Sequence, residues 1–191
     1  MTKKSTTTLA SPIAFLFFVA VVCNSAVSDD LIPPQSMPTN YKMTQPIPVV
    51  KPKQSKPTWS IAIHGGAGGE PGRWNDKQIQ DRINGLKAAL KQGKELLEKS
   101  APAIDVVQAV VQVLEDNPNF NAGCGAVLNS VGEVSLDASI MDGSDLSSGA
   151  VAGVTRPRNP IALARAVRDK TPHGFLCGEP ADLFAKEIGL P

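Results

Sequence analysis

Residues 134–143 read VSLDASIMDG. Val134, Leu136, Ala138 and Ile140 alternate with Ser135, Asp137, Ser139 and Met141, the period of a strand with one face sealed. On both sides of this stretch the period becomes helical. Upstream, Ile79, Ile83, Leu86, Leu90 and Leu97 recur on one helix face within Gln78–Glu98, and Gly85 and Gly93 lower its propensity without interrupting the pattern. A second helix, capped by Ser100 and carrying Pro102 in its first turn, runs through Leu114 on a face of Ile104, Val107, Val110, Val111 and Leu114. Downstream, Gly149–Val154 (GAVAGV) is a strand whose small side chains let another layer approach closely. Asn159 then caps a helix opened by Pro160 and continued by Ile161, Leu163, Ala164 and Val167. Helices before a group of strands, with a further helix after it, predict an α+β fold in which antiparallel strands are covered by helices. A doubly wound sheet stays open as a competitor, because two helices follow the strand predicted at Trp59–Ile63.

That strand, WSIAI, reads as buried and runs directly into HGGAGG at His64–Gly69. For residues 134–140, the short apolar run Ala126–Leu128 and the turn Val131–Gly132–Glu133 predict a hairpin.

Outside this core the composition changes twice. Lys3 and Lys4 precede the apolar run Ile13–Val22, and Ala26 and Ser28 follow at the spacing of a signal-peptidase site. Residues 1–28 are therefore expected to be a signal peptide and the protein to be secreted or periplasmic. Ten apolar residues are few for a bilayer span. A short membrane anchor, a buried helix, or a lipid anchor at Cys23 are the alternatives. Residues 29–58 carry seven prolines, with Lys51, Lys53 and Lys56 among them, and are expected to form an extended linker. The folded domain is then 59–191. A formal net charge of +1, with no aromatic residues among Lys51, Lys53 and Lys56, does not suggest a nucleic-acid surface.

Candidate chemistry is sparse. HGGAGG lacks the GxGxxG spacing and opens no helix at once, but a glycine turn after a strand can aim N–H groups at a carboxylate, phosphate or oxyanion. In Asn117–Asn129 (NPNFNAGCGAVLN), Cys124 is flanked by glycines. A nucleophilic cysteine needs a base to lower its pKa, so a small residue in a crowded turn is the preferred reading. Cys124 and Cys177 allow one disulfide and no zinc framework. His173, in TPHGF, reads as structural. Asp142 before Gly143 fits a turn-starting side chain, and Asp137 is expected to bond across layers. There is no GxSxG, HExxH, CxxC or Walker loop.

Four segments in unbroken order are similar to one family: IAIHGGAG (Ile61–Gly68), FNAGCGAVLN (Phe120–Asn129), LDASIMDG (Leu136–Gly143) and GAVAGVTRPRNPIALAR (Gly149–Arg165). They resemble the plant-type L-asparaginases, also called isoaspartyl peptidases or β-aspartyl-peptidases. TPHGFLCGEPADLFAKEIG (Thr171–Gly189) resembles the next stretch, except that Pro180 stands where a small residue is usual.

The resemblance implies an αββα sandwich of the N-terminal nucleophile hydrolase type, made as a precursor that cuts itself and frees a threonine at the N-terminus of a β subunit. That threonine, with its own amine as base, attacks the amide of asparagine or of a β-aspartyl dipeptide. His64, Gly65, Gly66 and Asn121 are the implied active-site supports. A structural sodium is implied on the main chain of Leu114, Glu115, Asn117, Phe120, Ala122 and Cys124. The implied partners are a small amino-acid or dipeptide substrate and a β subunit from the same precursor, in an (αβ)2 assembly.

The nucleophile's T-V-G stretch does not occur in these residues. The chain is therefore expected to be an incomplete α-subunit region, inactive alone, with the nucleophilic threonine beyond residue 191. Glycosylasparaginase activity and a non-enzymatic remnant or binding chain are the alternatives; Phe120–Asn129 favours the asparaginase reading.

Overall fold

The computed structural model describes residues 59–66 and 72–191, together with the strand at 20–24. The expected linker at 29–58 lies wholly outside these residues, and so does the expected signal peptide apart from that strand.

Strand β1 (Ala20–Asn24) pairs antiparallel with β2 (Trp59–Ile63), from Ala20 opposite Ile63 to Asn24 opposite Trp59. β2 is sealed on one face only: Trp59, Ile61 and Ile63 are half-buried while Ser60 and Ala62 are exposed. The expectation of a fully buried strand is corrected to that extent.

Helix α1 spans Asp76–Glu98, two residues earlier than its apolar period predicts. Asn75 supplies the missing signal, a capping box: its Oδ1 accepts from Gln78 N–H at 2.9 Å, and Gln78 Oε1 accepts from Asn75 N–H at 3.0 Å. The buried face also differs from the predicted one. Gly85, Ala89, Gly93 and Leu97 are buried at a spacing of four, whereas Ile79, Ile83 and Leu90 are 43%, 38% and 37% exposed. Side chains of neighbouring elements laid on its glycines, and not the largest side chains of α1 itself, select this face. A methyl on Gly93 would lie 2.5 Å from Ile61 Cδ1 and 2.8 Å from Val110 Cγ2.

Helix α2 (Ala103–Glu115) begins after Pro102, whose carbonyl accepts from Asp105 and Val106 N–H. Ser100 does not cap it. Ser100 has φ +60 and closes α1 instead, its N–H donating to Leu97 O and that of Ala101 to Leu96 O. α2 has two apolar faces. Val106, Val110 and Leu114 join Ala89, Leu97 and Phe120 in one core, beside Ile61 and Ile63 of β2. Ile104 and Val111 join a second core described below.

After a 3-10 turn at Gly123–Gly125, β3 (Leu136–Met141) pairs antiparallel with β4 (Ser148–Val154). The predicted hairpin with Ala126–Leu128 does not form: Val127, Leu128 and Val131 are exposed, and the turn before β3 is held by Asn129 Oδ1, which accepts from Val131 and Glu133 N–H. The actual hairpin turn starts at Asp142, as expected, with Oδ1 accepting from Ser144 N–H at 3.0 Å. These bonds to Ser144, assisted by the Arg168 guanidinium, hold the Asp142 carboxyl below the usual carboxylate range. Asp137 bonds within the sheet and not between layers: its Oδ1 takes Gly153 N–H at 2.8 Å where the register shifts.

Helix α3 (Pro160–Lys170) returns the chain to β5 (Phe175–Cys177), parallel to β4, and α4 (Gly178–Glu187) follows. β4–α3–β5 is thus one parallel crossover unit within an otherwise antiparallel design. Gly149 allows α3 to sit against β4, since a Cβ there would collide with the Ala164 carbonyl and approach Arg168 N. Leu136, Ile140, Val151, Val154, Ile161, Leu163, Val167 and Ala181 fill this second core. The architecture is α+β, helices covering small sheets, consistent with part of the αββα sandwich expected of an N-terminal nucleophile hydrolase.

Candidate functional site

The loop from Leu114 to Ala126 lies at the end of α2, where the two cores meet, and folds back on itself through main-chain bonds. Asn117 N–H donates to Leu114 O at 3.2 Å, Phe120 N–H to Asn117 O at 3.1 Å, Gly125 N–H to Ala122 O at 3.0 Å and Ala126 N–H to Gly123 O at 3.2 Å. Side chains lock the bends: Asn117 Oδ1 accepts from Asn119 N–H, and Asn121 Oδ1 accepts from Val127 N–H at 2.8 Å. Asn121 therefore ties the loop to itself.

Two glycines leave the interior of the loop open to carbonyl oxygens. Gly123 has φ +49, and a Cβ there would collide with the Glu115 carbonyl; a Cβ on Gly125 would collide with that of Phe120 and lie 2.9 Å from that of Pro118. The backbone is thus shaped around oxygens at this place. Among the described residues no group of three or more His, Cys, Asp or Glu is arranged to hold a metal, so main-chain oxygens are the hard donors this loop offers.

Glu115 has a second role that sequence reasoning missed. It is 3% exposed, and its Oε1 accepts from Ile161 N–H at 3.0 Å, satisfying a free donor at the start of α3. Asn159, expected to cap that helix, precedes it but gives it no side-chain bond; its Nδ2 donates to Asp116 Oδ1 at 3.3 Å. Glu115 Oε2 is buried and without a hydrogen-bond partner among the described residues. Burial pushes the carboxyl up to about 7, against the lowering effect of the bond from Ile161 N–H and of the nearby Asn159 amide. The only advance signal was an acidic residue closing an apolar helix face.

Phe120 ties the loop to the other core. It is 4% exposed, and its ring stands between two glycines: a methyl on Gly65 would lie 3.0 Å from Cε1, and one on Gly85 2.7 Å from Cε2. Gly65 belongs to the turn after β2. There His64 is exposed, Gly66 has φ +97, and Gly66 N–H donates to His64 Nδ1 at 3.0 Å. The structure therefore brings Gly65 against Phe120, and Gly66 bonds to His64 instead of presenting its N–H outward. Ala67–Gly69 lie outside the described residues.

Cys124 and Cys177 are both free and exposed, so the allowed disulfide is not formed. Asp182 is a further buried carboxylate that the sequence reading did not single out. It accepts from Thr155 N–H, Thr155 Oγ1 (2.8 Å) and Arg156 N–H, pinning the end of β4 to α4.

Comparison with known proteins gives a consistent result. A family model described as asparaginase matches residues 57–191. The isoaspartyl peptidase/L-asparaginase of Homo sapiens is 47% identical over 132 residues, 69% of this chain and 42% of that protein. The plant-type L-asparaginase of Pyrococcus horikoshii is 46% identical over 132 residues, again 69% and 42%. The probable isoaspartyl peptidase/L-asparaginase 2 of Arabidopsis thaliana is 43% identical over 132 residues, 69% and 40%. The chain spans about two fifths of the length of these curated relatives.

Proposed function

The chain belongs to the asparaginase family, and on that premise we propose that it is the α-subunit part of a hydrolase of L-asparagine and β-aspartyl dipeptides. The observation that supports this most is the 47% identity over 132 residues to a protein named for both activities. In this reading a threonine hydroxyl, freed by self-cleavage at the start of a β subunit, is the nucleophile, and its own amine is the base. Residues 1–191 hold no T-V-G stretch, so their part is support. The turn at His64–Gly66 is placed as a support beside the site and not as an oxyanion donor, since Gly66 N–H is taken by His64 Nδ1. Asn121 acts through the loop that it closes.

The Leu114–Cys124 loop fits a structural sodium, because its glycines leave room for carbonyl oxygens and, among the described residues, no dense carboxylate set competes for a divalent ion. The carbonyls of Leu114, Glu115, Asn117, Phe120, Ala122 and Cys124 would hold it. The ion supplies no chemistry to the reaction; it neutralises converging carbonyl dipoles and fixes the bend.

The assembly proposed is an α and a β subunit from one precursor, paired as (αβ)2, with export guided by residues 1–28. N-terminal sequencing of exported protein is expected to start near Asp29; an intact Met1 chain in the cytoplasm would count against export.

The functional test compares residues 1–191 with a form that also carries the β subunit. Ammonia from L-asparagine and aspartate from a β-aspartyl dipeptide are expected only from the second. Turnover by residues 1–191 alone, abolished by one substitution within 59–191, would overturn this placement of the chemistry. Preference for a glycosylated asparagine would favour glycosylasparaginase.

A further inference from the structure

We propose that Phe120 is a positioning residue that couples the cation loop to the His64–Gly66 turn, so that sodium held by the loop steadies the turn. This rests on the reading of the loop as a sodium seat. The same residue offers its carbonyl to the loop interior, where Gly125 leaves room for it, and its ring to the slot between Gly65 and Gly85. That slot has no slack: added methyls would sit 3.0 Å and 2.7 Å from the ring edges, and Leu86 Cδ2 lies 3.2 Å from the same point at Gly65. A shift of the main chain at residue 120 therefore moves the ring against β2 or α1, because packed interiors do not absorb such displacements.

Among the described residues, the turn above rests at Gly65 on Phe120 and, beside it, on Leu86. His64 is exposed, and the bond from Gly66 N–H to His64 Nδ1 is local, spanning two residues. Its order depends on the surface that Phe120 presents to Gly65. Coupling of this kind is reciprocal. If the ion favours the seated ring, then displacing the ring from the turn at Gly65 weakens ion binding, although that turn carries none of the proposed ligands.

The experiment is hydrogen–deuterium exchange on the full chain during a sodium chloride titration, with choline chloride holding ionic strength constant. In the wild type, peptides covering residues 59–66 and 120–126 should gain protection with one common midpoint. Gly65→Ala, which presses on the ring and on no proposed ligand residue other than Phe120, should raise the midpoint read at 120–126 about tenfold, within the usual range of coupling between sites. Phe120→Leu, which keeps the carbonyl, should leave sodium protecting 120–126 but not 59–66. If sodium protects 120–126 and leaves wild-type 59–66 unchanged, the coupling is wrong and the ion site stands. If neither segment responds, both are wrong. Should the variants fail to fold, the paired wild-type segments still decide.

Discussion

The two cores flanking α2 are built in opposite ways. On the side of Val106, Val110 and Leu114, the partner helix α1 presents Gly85, Ala89 and Gly93, and side chains of Ile61, Val110, Asn117 and Phe120 lie directly on its glycines. On the side of Ile104 and Val111, branched side chains from β3, β4 and α3 fill the space, with Gly149 the point of close approach. The first core has no room for an added atom, while the second is vulnerable to a removed one. The loop after α2 serves both: Phe120 enters the first, and the carboxylate of Glu115 caps α3 in the second.

Gly123→Val should have the largest effect, because it strikes the seam that the cores share. A β-branched residue at φ +49 is strained by at least about 1–2 kcal/mol, and its Cβ meets the Glu115 carbonyl at the end of α2, which cannot yield cheaply. A total loss of about 4 kcal/mol or more, in the exceptional class, should appear as loss of the cooperative melt. A variant that melts like wild type would show that the loop is not a seam.

Leu163→Ala tests the side-chain-filled core. Leu163 is 0% exposed, and its truncation should cost about 3 kcal/mol in denaturant unfolding, the transfer term plus a cavity. A cost below about 1 kcal/mol would mean that this core closes over the gap and differs less from its neighbour than the packing implies.

Gly93→Ala tests the other side, and there two effects oppose. Overpacking against Ile61 and the stiff Val110 costs about 1–3 kcal/mol, while alanine gains about 1 kcal/mol of helix propensity. A net loss of about 1 kcal/mol is expected, measured by the same unfolding. Net stabilisation would remove the distinction between the cores, since α1 would then have space to spare.

The same contrast explains what could be read in advance. The second core was legible because its information lies in side-chain pattern: the alternation of Val134–Ile140, the small-residue strand at Gly149–Val154 and the Pro160 helix start all occur where the chain places them. The loop's bend was legible too, from Gly123 and Gly125 around Cys124. The glycine-built core was not, because a stripe of Gly85, Ala89 and Gly93 carries no apolar signal to compete with Ile79, Ile83 and Leu90. Asn129 was likewise read only as the end of a motif, and its bonds to Val131 and Glu133 led the chain away from the hairpin first expected.

By itself, then, the sequence determined that α1, α2, α3, β2, β3 and β4 form, though not β1, β5 or α4, and the family to which their order belongs, since these follow from local dihedral preference and apolar period. Only the tertiary structure decided which face of α1 is buried, which strand pairs with β3, and that Glu115 caps a helix 46 residues further along. Those outcomes depend on the distance between backbones that are remote in the chain. A glycine marks where such an approach is allowed, but its partner is chosen by what else must fit, here the ring of Phe120 between Gly65 and Gly85.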